Sequence, residues 1–413
     1  MNRTHNEGYR WVILGTLFSV HVLTSVGQFS IPPLLPFVKK ELGLNYTQVG
    51  LFTSSYYLGI ALAATFAGWT ADFIGIKKMV VLGTIMMGIF TLVASWMPSF
   101  WWIMFFMLLA GVSYSVLTPS TNKATMYWFH ERLRATAMGI KQTGINGGGF
   151  LAAFIIPPLA LNFDWRYALS VAALLVLVGG AVMWVFYHEY DLPSARQVSL
   201  AECKLQIKEV ISNRNILILG VEGFFRVGVQ TAFLTYLILY LQRTLQLSII
   251  TAGFFFALAH GSGAIGRITW GLVSDRIFGG QRKKVYLFVA LISGISFFIF
   301  GHLTPTTPIL GIILMVAFLG FTAVGHQGVG LSLLAEVAGK ECAGTASGFN
   351  QSFYFFGVVL MAPLFGLMVD TFGTYSYAWT GLGLFSFIAS GLVSFVREGY
   401  KKSYSTALSG KGI

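Results

Sequence analysis

Four basic side chains stand deep in apolar sequence: Lys123, Lys141, Arg226 and Arg267. One acid, Glu222, shares that setting. An ionisable group in hydrocarbon costs about 3 kcal/mol or more, so each is expected to serve a function. Four cations against one anion leave that interior three charges positive. A bound anion is the economical way to offset them. Carboxylate suits the arginines best, because a planar guanidinium offers it two parallel donors.

Spacing ranks the candidates. Arg267 precedes Asp275 by eight residues, which places it about 12 Å up a helix from the loop holding the aspartate. His260, seven residues earlier, falls on the same face. The competing reading of Arg267 is a scaffold arginine bonded to carbonyls of a neighbouring helix. Glu222 and Arg226 are four apart and share a helix face, continued by Gln230. Two readings of this pair stay open. It is either a structural ion pair, or a proton site on Glu222 with Arg226 alternating between it and a ligand. Lys141 and Gln142 sit about two turns into an apolar run, where Lys141 either faces a ligand or snorkels to the interface. Snorkelling is preferred for Lys123, which is nearer a helix end. His21 with Gln28, and His326 with Gln327, add polar groups that either line a pathway or bond across helices.

Such residues need elements that carry them across a bilayer, and the composition provides these. Of 413 residues, 55% are hydrophobic and 10% charged, against roughly 25% charged in soluble domains. Runs of about 20 apolar residues predict spans at 11–37, 47–69, 77–97, 101–127, 135–161 and 166–187, then 215–241, 249–273, 284–303, 308–333, 344–369 and 376–396. The hydrophilic stretch 188–214 separates a bundle at 1–187 from one at 215–413, the second with a short basic tail. The expected fold is all-α integral membrane: twelve transmembrane helices in two six-helix bundles.

Placement of charge excludes other classes. The net charge of +12 sits in short loops between spans, so no nucleic-acid partner is expected. Two cysteines, Cys203 and Cys342, make neither a disulfide framework nor a metal site. Gly144, Gly147, Gly148 and Gly149 lie inside a helix with no phosphate-loop lysine after them, and read as close helix packing. No nucleophile motif, metal cluster or cofactor loop appears, so neither an enzyme nor a bound cofactor is expected. No short apolar leader with a cleavage site precedes the first span. With both termini inside, cytoplasmic segments hold 19 Lys and Arg and external loops four (Lys39, Lys40, Arg166 and Arg243). That bias predicts cytoplasmic termini in a plasma membrane, the inner membrane of a bacterium.

The halves repeat. Gly68-Trp69-Thr70-Ala71-Asp72 matches Gly271-Leu272-Val273-Ser274-Asp275. Both are followed by basic residues, Lys77 and Lys78 in one case, Arg282, Lys283 and Lys284 in the other. Ala137-Met138-Gly139-Ile140-Lys141-Gln142 matches Ala346-Ser347-Gly348-Phe349-Asn350-Gln351, and Ile13-Leu14-Gly15 matches Ile218-Leu219-Gly220. At the first of these pairs the chain resembles the major facilitator superfamily, whose loop signature is G-x-L-A-D-R-x-G-R-K. Phe73 stands where that signature has arginine. The resemblance implies a cytoplasmic gate built on Asp72, Lys77, Lys78, Asp275, Arg276 and Arg282. The competing reading is that the two aspartates only cap helix ends and offset loop charge.

The segment Arg267-Ile268-Thr269-Trp270-Gly271-Leu272 is similar to the arginine segment of monocarboxylate and oxalate carriers, although Gly263 replaces their aspartate one turn earlier. The resemblance implies a monomeric secondary transporter working by alternating access. Its substrate would be a small organic anion, probed by Arg267, Arg226, Lys141, Gln142, His21, Gln28, Asn350, Gln351 and His260, with Glu222 carrying a proton. The alternative is a proton-coupled exporter of drugs or other apolar molecules, for which Asn146 lacks the neighbouring proline of the antiporter motif.

Overall fold

The computed structural model describes residues 8–129, 131–188 and 200–397, and they are helices joined by short turns. Eleven helices among them are long and apolar enough to cross a membrane. They are Tyr9–Leu42, Ile76–Ser95, Phe100–Trp128, Thr136–Asn162, Trp165–Phe186, Arg214–Arg243, Ile249–Arg276, Arg282–Phe300, Ile309–Gly339, Cys342–Phe372 and Tyr375–Ser394. The 29-residue helix Tyr46–Ile74 falls second in chain order. It completes twelve spans, six on each side of the segment at 188–214, and they are numbered in that order below.

Helix is the only open element in lipid that satisfies every backbone donor and acceptor internally. Three spans interrupt that rule where they are buried among neighbours. The first span is two helices, Tyr9–Phe29 and Ile31–Leu42, meeting at Ser30. Pro32 and Pro33 follow the break, where a missing N–H costs least. Ser30 Oγ donates to the Gly27 carbonyl at 2.7 Å. The fourth span breaks between Tyr114 and Leu117, and the tenth passes through a π-helical turn, Gly320–Val324, before resuming at Gln327. These last two breaks occupy corresponding places in the two halves.

Two boundaries differ from the sequence expectation. The first span continues to Leu42, so Lys39 and Lys40 ride on a helix end rather than in a loop; Gly43, at φ 62°, closes that helix in the left-handed region. The segment expected as a plain hydrophilic linker contains a helix, Leu200–Ser212. It docks on the start of the eleventh span through Cys342 Sγ to Glu209 (3.4 Å) and Thr345 Oγ1 to Gln206 (2.9 Å). Residues 189–199 lie outside the described residues.

Glycine sets how closely the helices approach. Within the first half, a Cβ on Gly111 would lie 1.8 Å from the Tyr56 carbonyl oxygen, and one on Gly59 would lie 2.0 Å from that of Leu108. Backbone meets backbone at both, so neither site can yield by turning a side chain. The expected helix-packing glycines of the fifth span behave in the same way, Gly144 against Phe18 and Gly148 against Val22 and Ser25. We expect Gly111→Val to force the second and fourth spans apart at a cost of about 1–3 kcal/mol. Thermal unfolding of the detergent-solubilised protein would read this as a lower midpoint, whereas Gly391→Val, which meets nothing within 4 Å, would leave it unmoved.

Candidate functional site

The two ends of the bundle are built differently. At the end opposite the chain termini, the halves are fastened together around Tyr46, the first residue of the second span. Asp370 at the far end of the eleventh span accepts from Tyr46 N (2.9 Å), Thr47 N (2.8 Å) and Thr47 Oγ1 (2.7 Å). A carboxylate there offsets the positive end of the helix dipole and satisfies free N–H groups. Tyr236 of the seventh span donates to the Tyr46 carbonyl at 2.7 Å, and Arg243 donates to the Tyr46 hydroxyl. Ser54 Oγ donates to the Val359 carbonyl (2.9 Å), and Gly50 and Gly366 let the two spans touch at backbone distance. The fifth and eighth spans also close on each other. The His260 ring lies against Gly149, with a Cβ there 2.5 Å from the imidazole, and is edge-on to Phe29 and Phe256.

Toward the terminus-bearing end the contrast is plain. The repeat mates Gly139 and Gly348 have nothing within 4 Å of a Cβ, nor does Gly344. The close glycine contacts of the latched end therefore have no counterpart at these three positions.

Arg267 is partly buried on the eighth span. One guanidinium nitrogen donates to Gln327 Oε1 at 2.5 Å, and Gln327 Nε2 donates in turn to Gln230 Oε1 at 3.1 Å. Arg267 Nε is buried without a partner, and no carboxylate pairs with this arginine among the described residues. Its polar contact is therefore with a side-chain amide of the tenth span, not with a neighbour's carbonyls. The charge is left for something else to neutralise.

Arg226 is placed otherwise. It is bonded to Glu222 through Nε, lies 4.1 Å over the Tyr286 ring, and donates to the Tyr286 carbonyl at 3.4 Å. The Tyr286 hydroxyl donates to the other Glu222 oxygen at 2.9 Å. All three are buried, and all belong to the second half. The triad is self-satisfied, so Arg226 in this conformation has less to offer a ligand than Arg267.

Lys141 does not snorkel. It is fully buried, with Nζ donating to Asn122 Oδ1 and to Thr121 Oγ1 at 3.2 Å. Thr121 also bonds His21 Nε2 at 2.9 Å, so a cation and an imidazole share one hydroxyl in the first half. Gln142 is half-buried beside it. Gln28 lies further along, donating to the Tyr57 hydroxyl at 3.0 Å in the closed region. Asn350, the repeat mate of Lys141, is fully buried with both amide atoms unpartnered, and Gln351 is half-buried.

His260 does not stand beside Arg267, although helical spacing puts the two on one face. It is fully buried in the closed interface with neither ring nitrogen bonded. The expected gate residues also divide. Arg282 links Asp275 (2.9 Å) to Glu336 (2.8 Å), tying the ends of the eighth and tenth spans within one half. Lys77 lies 4.9 Å over the Trp184 ring, while Lys78 and Arg276 are exposed. The side chain of Asp72 lies outside the described residues.

The latch residues Tyr46 and Asp370, and the triad member Tyr286, are not signalled by the sequence. A tyrosine and an aspartate near helix ends look like ordinary interfacial residues. Asn122 and Thr121 had a signal, since they adjoin Lys123 in the polar run Thr118-Pro119-Ser120-Thr121-Asn122-Lys123.

Two six-helix halves, bonded to each other at one end and enclosing buried polar side chains, have the architecture of a membrane transporter of the parallel-repeat type. The chain belongs to the Major Facilitator Superfamily, whose family model matches residues 17–362. It is 23% identical over 397 residues to the hexuronate transporter of Bacillus subtilis, covering 92% of this chain and 93% of that one. It is also 23% identical to a protein of Cupriavidus necator named a probable sulfoacetate transporter, covering 89% of each. Among solved structures it resembles a bacterial homologue of the human lysosomal transporter Spinster, in an inward-facing and occupied conformation. The TM-score is 0.78 and the identity 17%, covering 97% of this chain and 99% of that one.

Asp370→Asn removes the charge that faces the second span's N-terminus while keeping the shape. We expect a loss of about 1–2 kcal/mol from the closed end, enough to move the closed-to-open ratio roughly tenfold. Spin labels on Phe163→Cys and Thr306→Cys, at that end of the two halves, would report a longer mean distance. An unchanged distance distribution would remove Asp370 from the latch.

Proposed function

We propose that this chain is a secondary transporter for a small organic anion, bound through its carboxylate or an equivalent oxyanion, and that Arg267 is the principal contact. The observation that carries the reading is the state of Arg267: a cation within a membrane span, with one amide partner, an unbonded Nε and no paired acid among the described residues. Lys141, buried among Thr121, Asn122 and His21 in the first half, would reach the anion only on a rearrangement that frees its Nζ. The names of the two relatives, hexuronate and sulfoacetate transporters, both denote organic anions and support this charge class.

With the termini cytoplasmic, as the distribution of Lys and Arg favours, the terminus-bearing end faces the cytoplasm and the Tyr46 latch closes the outside. The conformation is then inward-open. Loading from the other side requires the latch to part and the halves to rock together over Gly139 and Gly348. Proton coupling is assigned to Glu222: its carboxylate is held by Arg226 and the Tyr286 hydroxyl, and substrate that draws Arg226 away would leave it to take up a proton. The bundles would be residues 1–187 and 215–413, acting as a monomer.

Two measurements test this. In proteoliposomes, uptake of labelled glucuronate is expected to fall at least about 30-fold in Arg267→Ala, the cost of removing one partner of a desolvated charge pair, with Arg267→Lys recovering little. Uptake unchanged by Arg267→Ala would sink the assignment, and expulsion of cationic dyes with no anion uptake would favour an exporter of apolar molecules. Separately, Glu222→Gln is expected to abolish uptake driven by a pH gradient while sparing anion exchange at equal pH. Loss of both together would make the Glu222–Arg226–Tyr286 triad a structural element.

A further inference from the structure

The latched end holds a cavity of about 440 Å³, apart from Arg267 and lined by both halves. Lys39, Lys40 and Tyr46 contribute from the first half, and Gln242, Arg243 and Ile249 from the second. Its charge is unusual for its place. The sequence puts only four Lys or Arg at this end, and three of them converge on this one cavity.

The fourth, Arg166, is spoken for by Glu41, with Asp164 at 3.9 Å. The cations in the cavity form no ion pair with an acid among the described residues. Lys39 Nζ donates to the Leu44 carbonyl at 2.8 Å and lies 4.4 Å over the Tyr46 ring. Arg243 lies 5.3 Å from the same ring and donates to its hydroxyl. The two cations also repel each other electrostatically. Lys40 is exposed and makes no hydrogen bond or ion pair with a described residue. Asp370 is the nearby acid that Lys39 feels, and its oxygens are already engaged by Tyr46 and Thr47. The closed latch thus holds two positive charges over one aromatic ring, with Lys40 lining the same cavity and the nearby Asp370 carboxylate already occupied.

We propose that this cavity is a second anion-binding site, taking one oxyanion group (carboxylate, phosphate or sulfate) between Lys39, Lys40 and Arg243. Two donors come from the first half and one from the second, so the bound group bridges the halves. The same chemistry is offered by a free anion in the surrounding solution and by the phosphate of an anionic lipid headgroup. The site shares no residue with the Arg267 cluster and does not rest on the proposed substrate.

Equilibrium binding of radiolabelled sulfate to the full-length protein in phosphatidylcholine nanodiscs, at fixed ionic strength, tests it. Binding is measured in the Arg267→Gln background, where the central oxyanion contact is removed, and sulfate is expected still to bind there. Lys40→Gln, at an exposed and unbonded position where folding is not at stake, is expected to weaken binding roughly three- to tenfold, and Lys40→Gln with Arg243→Gln to abolish it. Substituting phosphatidylglycerol for part of the lipid separates the sources. Competition with sulfate assigns the site to a headgroup phosphate, and undiminished sulfate binding assigns it to a free anion. Three results overturn the proposal: no sulfate binding to wild type, binding indifferent to Lys40→Gln, or binding lost in Arg267→Gln, which would place the sulfate in the central pathway.

Discussion

The closed state hangs on one helix end. The second span begins at the membrane surface with free N–H groups, and the carboxylate that satisfies two of them belongs to the other half of the protein, 324 residues away at Asp370. Asn45 and Gln48 cap the same turn reciprocally, at 2.8 and 3.0 Å, so the helix does not need Asp370 in order to form. It needs it in order to be held. That division of labour lets the halves part without unwinding a span: the capping box keeps the helix intact when the inter-half bonds let go. The glycine contacts at Gly50, Gly366 and Gly149 then supply shape but little adhesion, since two apolar surfaces in lipid gain little from hydrophobic burial against each other.

How much of this was readable beforehand depends on whether the information was local. Span number, the six-plus-six division and the repeat follow from hydropathy and from short matched segments, which are properties of neighbouring residues. Arg267 was legible for the same reason, because a charge inside an apolar run declares its own cost. Partners are not local. Glu222 and Arg226 could be paired from their spacing on one helix, but Tyr286, which completes the triad, comes from the ninth span and looks like any tyrosine near a membrane surface. His260 shows the converse failure. Helical spacing placed it on the face of Arg267, yet seven residues of helix rise about 10 Å, and at that height its ring is packed against Gly149, Phe29 and Phe256.

The asymmetry between the halves is chemical rather than architectural. Matching breaks fall in the fourth and tenth spans, and matching polar pairs in the fifth and eleventh, so the scaffold is shared. On that scaffold the first half buries Lys141 among hydroxyl and amide groups. The second buries Asn350 in the equivalent place with its amide unbonded and carries Arg267 instead on the eighth span. Lys141 and Arg267 thus stand on different helices of the two halves, with the Glu222-paired Arg226 as a further buried cation of the second.

Gly139 and Gly348 face empty space here, while Gly149 and Gly50 are pressed against the opposite half. A transporter that rocks between two closures must keep both contact surfaces smooth at all times, although it uses one at a time. Half of its fitted surface is thus idle in any single conformation. Replacing either idle glycine would leave the folded protein as stable as before and its ligand pocket unaltered. On the rocking cycle proposed above, it would be unable to complete the second half of that cycle, a defect visible in turnover and hidden from measurements made on the resting state.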